Sequence, residues 1–423
     1  MRNNKLMMTI AVCAALGLGG GAVAWIASSG KGSTTQVQNS NGVSGSNTGT
    51  QTSGSSGSGS ITLTDMALPI TEKDLDAGYS KAESKLIQLT DDSGTTKITE
   101  EGTYIVTGST NNGMISIEVG EEEDVHLILR DTTIRSESSA AIYVISADEV
   151  YITLEGDNVL SNGGSYTAID ENDIDAVIFA KDDLTINGDG SLTINATTDH
   201  AIVCKDDMVI TGGTFNLTAD VDAINTNDSL AITDGAFTIQ AGDDAIHTDG
   251  ILQIDGGTFD ITAAEGLEGT YITVNDGTFV INASDDGINA AQKVSDYTAT
   301  LIVNGGDITI TMGAGDTDGI DSNGNIFING GTIRITGMST VDYDGIAEKN
   351  GGTLIINGQE TDTIPNQFMG GSGGMGDQGF PGDMGGQGFP GDMNGQDFPG
   401  GPGGSGGPGS SGGRGGQGTP PSS

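Results

Sequence analysis

A pair of short marks recurs along this chain at a nearly constant interval. Asp222-Ala223-Ile224 returns as Asp244-Ala245-Ile246, Glu265-Gly266-Leu267, Asp286-Gly287-Ile288, Asp318-Gly319-Ile320 and Asp344-Gly345-Ile346, at steps of 22, 21, 21, 32 and 26 residues. Between them lies a second mark: Gly212-Gly213-Thr214-Phe215, Asp234-Gly235-Ala236-Phe237, Gly256-Gly257-Thr258-Phe259 and Asp276-Gly277-Thr278-Phe279, then Gly305-Gly306-Asp307-Ile308 and Gly330-Gly331-Thr332-Ile333. The step of 32 carries an insertion around Ala291 to Thr300. A fixed period of this size signals stacked units that bury a continuous core only against their neighbours. Inside each unit apolar and polar residues alternate, as in Leu252-Gln253-Ile254, in short runs broken by Gly, Asn and Asp. That pattern specifies strands and no helical period. Short strands on a turn of this length predict an all-β, parallel β-helix over residues 61–360. Leu63 to Ser138 is less regular and is expected to form the first coils, with a cap around Thr71 to Gln88. Cys204 ends such a strand and reads as a small buried thiol.

Stacking has an electrostatic consequence. Adjacent coils lie about 4.8 Å apart, so equivalent positions form files along the axis. One file is acidic: Asp222, Asp244, Glu265, Asp286, Asp318 and Asp344. A second acid precedes most of these: Asp220, Asp243, Asp285, Asp316 and Asp342. Carboxylates at that spacing raise one another's pKa, and a cation would relieve them. All of these acids are therefore candidate metal ligands. Hard oxygen donors without clustered His or Cys select Ca²⁺ over zinc or iron. Asp is also a common turn residue, which accounts for single acids better than for paired ones. His200 and His247 flank the file and read best as surface histidines, with a ligand or acid–base role left open. His126, in Val125-His126-Leu127, reads as an outward strand residue.

The charge balance narrows the partners. The 423 residues hold 58 Asp plus Glu against 15 Lys plus Arg, a formal net charge of −43, which argues against nucleic acid and anionic membrane surfaces. Two Cys exclude a disulfide scaffold. Residues 1–27 combine Arg2 and Lys5 with an apolar stretch and Ala22-Val23-Ala24. They read as a signal peptide, or uncleaved as a signal anchor that would tether the chain to the membrane. Either reading makes the remainder extracellular, secreted or anchored at the cell surface. Residues 28–60, rich in Ser, Gly, Thr and Asn, read as a flexible linker. Residues 361–423 read as a disordered Gly/Pro-rich tail, with Phe380-Pro381-Gly382 repeated at Phe389 and Phe398 but without the period of collagen.

Further stretches carry a family resemblance. Lys97-Ile98-Thr99-Glu100-Glu101-Gly102-Thr103-Tyr104, then Ala176 to Gly188 (AVIFAKDDLTING), then Lys205-Asp206-Asp207-Met208-Val209-Ile210-Thr211-Gly212-Gly213 join the repeated marks. Together they resemble the bacterial carbohydrate-binding domain-containing family of cellulolytic clostridia, over Ile61 to Gly358. The resemblance implies an extracellular, right-handed parallel β-helix similar to pectate lyases. It also implies bound calcium and binding of cellulose and acidic sugars such as polygalacturonate, without lyase activity.

The residue inventory shapes that expectation. The only Trp, Trp25, precedes the repeat region, and the Tyr residues do not follow the repeat period, so stacking is a weak main force. Calcium bridging protein carboxylate to sugar carboxylate would let an acidic protein hold a uronate. The first reading is thus a monomeric, non-catalytic, calcium-binding polysaccharide binder for cellulose or acidic plant glycans. One alternative is a calcium-dependent lyase on uronates, whose base would come from Arg130, Arg135, Lys181, Lys205, Lys293, Arg334 or Lys349; Lys181 and Lys205 beside Asp-Asp pairs are the best case. Another is a structural adhesin or surface spacer.

Overall fold

The structure is a computed structural model that describes residues 66–367, apart from 92, 168, 315 and 316. Segments 1–27 and 28–60, and the tail beyond 367, lie outside the described residues. Every described element is a strand, and the chain winds them into a parallel solenoid, as the repeat requires. Each turn supplies three short strands, for example Ala176–Ala180, Asp183–Gly188 and Ser191–Asn195 before His200–Cys204 begins the next. One strand per turn joins a ten-stranded sheet. The other two form the arms of a 22-stranded sheet, joined where Val125–Ser136 pairs with Glu149–Glu155 along its first half and Asp157–Asn162 along its second. Asp131, at φ 48°, turns that corner. The last pairing, Thr353–Ile356 with Gln359–Thr361, is antiparallel and closes the final edge.

The inward files form one core from Leu89 to Leu354. The second repeated mark has a direct cause there. Phe215, Phe237, Phe259 and Phe279 occupy one register position on successive turns. Their rings stack at 4.6, 4.8 and 4.6 Å with interplanar angles of 2–3°. Isolated aromatic pairs prefer offset or edge-on geometry; here the backbone register sets the near-parallel stack. The glycine two residues before each Phe is part of the same device. Gly277 has φ 124°, and a Cβ there would come within 2.9 Å of the Phe279 ring.

Cys204 is fully buried, and burial pushes its thiol well up from the usual range. The expected cap around Thr71 to Gln88 is instead a strap across a side face. Leu68 N donates to Gln253 Oε1 at 2.7 Å, Thr211 Oγ1 donates to Asp74 O at 2.9 Å, and Tyr79 OH donates to Glu155 Oε1 at 2.7 Å. These partners lie two turns apart from one another, so the strap runs along the axis before Lys85–Leu89 starts the first turn. Met66 and Leu68 cover the outward residues Ile251, Tyr271, Ile302 and Phe327. The strap forms because these outward residues are apolar where a solvated face would be polar.

Phe259→Ala should lower the free energy of unfolding by about 3–5 kcal/mol, and Phe259→Leu by less than about 1.5 kcal/mol, in urea titrations of both variants. Equal, small losses would show that the stack contributes no packing beyond bulk.

Candidate metal centre on the ten-stranded sheet

The ten-stranded sheet carries the first repeated mark, and register brings its acids together. Asp244 lies opposite Glu265, and the pairs Ile224–Ile246, Leu267–Ile288 and Ile288–Ile320 extend the file to Asp222, Asp286 and Asp318. Backbone amides of the following turn help to hold it: Asp244 N donates to Asp222 Oδ1 and Asp318 N to Asp286 Oδ1, both at 3.0 Å. Three residues further along each strand is a second file: Asn225, His247, Glu268, Asn289 and Asp321. The two files form a polar strip in which carboxylate oxygens of Asp244, Glu265 and Glu268 lie within 4.8 Å of one another, as do donor atoms of Asp222, Asp244 and His247.

Several expected ligands are placed differently. The bridge Ile320–Val341 sets Asp318 opposite Ser339, which donates to it, and Asp321 opposite Asp342. Asp344 therefore leaves the first file, and Asp342 belongs to the second; the longer step to the last turn displaces both. Asp220, Asp243 and Asp285 are exposed and form no continuous column. Asp285 N and Ala264 N bond to Ala264 O and Asp243 O, so alanine separates the two acids, while Asp220 faces Gly242. Asp316 lies outside the described residues.

Neither histidine is a surface residue in the sense expected. His200 Nδ1 stands 3.2 Å from Asp222 Oδ2. His247 is only 12% exposed, with Nδ1 2.8 Å from Asp244 Oδ2 and 2.7 Å from Glu268 Oε2. Lys293, from the insertion, places Nζ 2.8 Å from Glu268 Oε1. Sequence reasoning missed Asn225, Glu268, Asn289 and Asp321. The signal was the position three residues after each acid of the repeated mark, which is polar on every turn from Asn225 to Asp321.

The electrostatics divide the strip. Burial opposes charge on Glu268, yet hydrogen bonds from His247 and Lys293 prevail and hold it down to about 2. Burial alone would lower His247, but Asp244 and Glu268 raise it to about 10. Asp222 stays below its ordinary range because His200 and Asn225 outweigh burial. For the remaining acids burial prevails, even at Asp244, where His247 opposes it, and at Glu265, where Asn289 does. Burial raises Asp244 to about 7, Glu265 to about 8 and Asp286 to about 7. Burial, then Asp342 and Asp318, raise Asp321 to about 6. Among the described residues, no Lys, Arg or His forms an ion pair with Asp286 or Asp321.

That last stretch carries the hard oxygen donors that a divalent cation takes. Asn289 donates through Nδ2 to Glu265 and Glu268, at 3.0 and 3.3 Å, while its buried Oδ1 has no partner. A buried acceptor left unpaired is costly. Asp286, Asp318, Asp321 and Asn289 Oδ1 are oxygen donors of the kind such an ion takes, while the carboxylate oxygens of the strip that lie within 4.8 Å of one another are those of Asp244, Glu265 and Glu268. A third acid group, Asp183, Asp206 and Asp207, lies at the opposite end of the ten-stranded sheet's strands, beside Lys181 and Lys205.

The sign of the pH dependence follows. A buried acid with a raised pKa is still protonated in the native state when the unfolded chain has already ionised. Its penalty is absent below about pH 4 and complete above about pH 8. Glu268 acts oppositely, its contribution being lost only as pH falls towards 2. Metal-free protein should therefore melt at a higher temperature at pH 5 than at pH 8. A flat profile in differential scanning calorimetry would refute a strip that lacks counter-charge.

A family model described as carbohydrate-binding domain-containing protein matches residues 92–336 and, in a second match, 265–363. A carbohydrate-binding domain-containing protein of Acetivibrio thermocellus is 39% identical over 127 residues, 29% of this chain and 44% of that relative, so the match spans under half of the relative's length. A solved structure, of the polysaccharide lyase-like protein from C. thermocellum as a gadolinium derivative, is similar at 26% identity with a TM-score of 0.41, over 64% of this chain and 98% of that one. Matched by the family model over more than half of its length, including the turns that carry both polar files, the chain belongs to the carbohydrate-binding domain-containing protein family.

Proposed function

We propose that this chain is an extracellular protein that binds polysaccharide without transforming it, and that Ca²⁺ held by the polar strip mediates the binding of acidic sugars. The observation that carries this reading is the stretch Asp286, Asn289, Asp318 and Asp321, with its unpartnered buried oxygen and, among the described residues, no basic residue paired to Asp286 or Asp321. Ca²⁺ takes about six to eight oxygens, more than these side chains supply, so a uronate carboxylate can complete its shell. The protein supplies fixed donors on a stiff sheet; the ion supplies the positive charge that an acidic chain lacks. Cellulose and polygalacturonate are the glycans to test first.

The positions of the basic residues favour binding over catalysis. A lyase needs an unprotonated base near the metal. Lys293 is close, but its ammonium is fixed on Glu268, whose charge favours the protonated form. Lys181 and Lys205 follow the ends of their strands, away from the acid file, and Lys205 lies over the Phe179 ring at 5.6 Å. Arg130, Arg135 and Arg334 are engaged with Glu155, Glu137 and Asp307.

Calorimetric titration should show Ca²⁺ binding that weakens about tenfold or more in Asp286→Asn and Asp321→Asn, by loss of charged ligands. Binding of polygalacturonate should disappear in excess chelator. Undiminished uronate binding without calcium would defeat the bridging mechanism, and release of unsaturated products would establish a lyase.

A further inference from the structure

A second place for a saccharide lies on another face, under the strap. A cavity of about 450 Å³ opens there, within the range of small-molecule sites, between strap residues Lys73 and Asp76 and the turn residues Glu101, Asp124, His126 and Tyr151. Its floor is a register file, with Thr103, His126 and Tyr151 directly opposite one another on successive turns. Two of the floor side chains are fixed before any ligand arrives. Tyr151 donates to Glu149, and Lys73 Nζ sits 4.4 Å from the centre of its ring. The His126 ring stands edge-on to Tyr79 and Tyr151, at 6.1 and 6.4 Å.

The hydrogen-bond pattern fixes which way His126 presents itself. Asn187 Nδ2 donates to Asp74 O and Asp76 O, so its Oδ1 is the acceptor for the Thr153 hydroxyl. With its proton committed there, Thr153 Oγ1 accepts from His126 Nε2 at 2.7 Å. Nε2 therefore carries the hydrogen, and Nδ1 of the neutral ring is left as a lone-pair acceptor. Burial, which lowers the pKa of His126, keeps the ring in that form.

The other groups complete an acceptor-rich cluster with one donor. Lys73 Nζ is 2.5 Å from Asp124 Oδ2, whereas Asp124 Oδ1 has no partner. Asp76 Oδ1 accepts from Gly78 N at 2.8 Å, leaving its second oxygen, and Glu101 is exposed. Three carboxylates face one ammonium, so an acidic sugar or phosphate is repelled. Hydroxyl groups suit the cluster, since each donates to a carboxylate or imidazole while its oxygen accepts from an ammonium.

From this we infer that the strap cavity binds a non-acidic saccharide unit without a metal, a site separate from the calcium strip. The inference rests on the saccharide-binding reading given above. Two sites of one polysaccharide-binding protein would then divide the work: acidic units at the strip, non-acidic ones at the strap.

The test is calorimetric titration of the full chain with cellopentaose in excess chelator, against Glu101→Ala and His126→Phe, with thermal melts to verify folding. Cellopentaose should bind without calcium, and each variant should weaken it about tenfold, the effect of one lost hydrogen bond to a charged or polar group. Polygalacturonate binding in calcium should be unchanged in both variants. Cellopentaose binding that is equal in wild type and folded variants overturns the cavity as the site and leaves the saccharide reading standing. Absence of cellopentaose binding beside intact polygalacturonate binding does the same. Competition of oligogalacturonide for the cellopentaose site overturns the charge argument, and loss of binding to both glycans removes the parent reading and this inference together.

Discussion

Hydrogen bonding between successive parallel turns is the constraint from which the other features follow. It fixes each residue above its counterpart one turn away, so a side chain chosen at one position meets a near-copy of itself about 4.8 Å further on. For an apolar position this is favourable: four phenylalanines stack almost face to face because the register offers no other arrangement. For glycine it gives a column of turns with room for the rings. For an acid it is costly, and the polar strip shows how the chain handles that cost.

It does so differently along the axis. At the first turns of the strip a histidine faces Asp222. In the middle, His247 and Lys293 share Glu268 and Asp244. From the turn of Asn289 onward no described Lys, Arg or His is paired to Asp286 or Asp321, and the side-chain amide turns its donors back towards Glu265 and Glu268. Asn289 is thus a boundary: its nitrogen serves the part neutralised from within, and its unpaired oxygen belongs with the part that is not. The insertion that lengthens one repeat is what delivers Lys293, so a departure from the period decides where charge is balanced internally.

How much of this could be read from the sequence follows the same logic. The solenoid, the strand content and the file from Asp222 to Asp318 were legible because they depend only on period and alternation. Asp344 was misplaced because its sequence mark matches while the last step does not keep register, and Asp342 slid into the other file with it. Glu268, Asn289 and Asp321 were overlooked because they vary in type from turn to turn, and only their position recurs. His247 reads as a surface residue until the outward face of its strand is known to be walled by acids. The strap was beyond reach: contacts such as Leu68 with Gln253 span 185 residues, and no local pattern encodes a separation of that length.

The strap also changes what kind of molecule this is. A solenoid gains its stability from contacts between neighbouring turns, and its turns separate one from the next at little cost to those further away. Asp74, buried at 3% exposure, bonds to Thr185 and Asn187 of one turn and Thr211 of the next, while Leu68 and Tyr79 fasten the strap towards either end. Opening any of these turns must therefore loosen the others, which joins the early turns into a larger cooperative unit than stacking alone provides. The same tether sets one wall of a cavity against turns that are otherwise a regular, featureless surface. Regular stacking supplies repeated files of like groups, whereas an unlike set such as Lys73, Asp76, Glu101 and His126 converges only where a segment crosses the repeat.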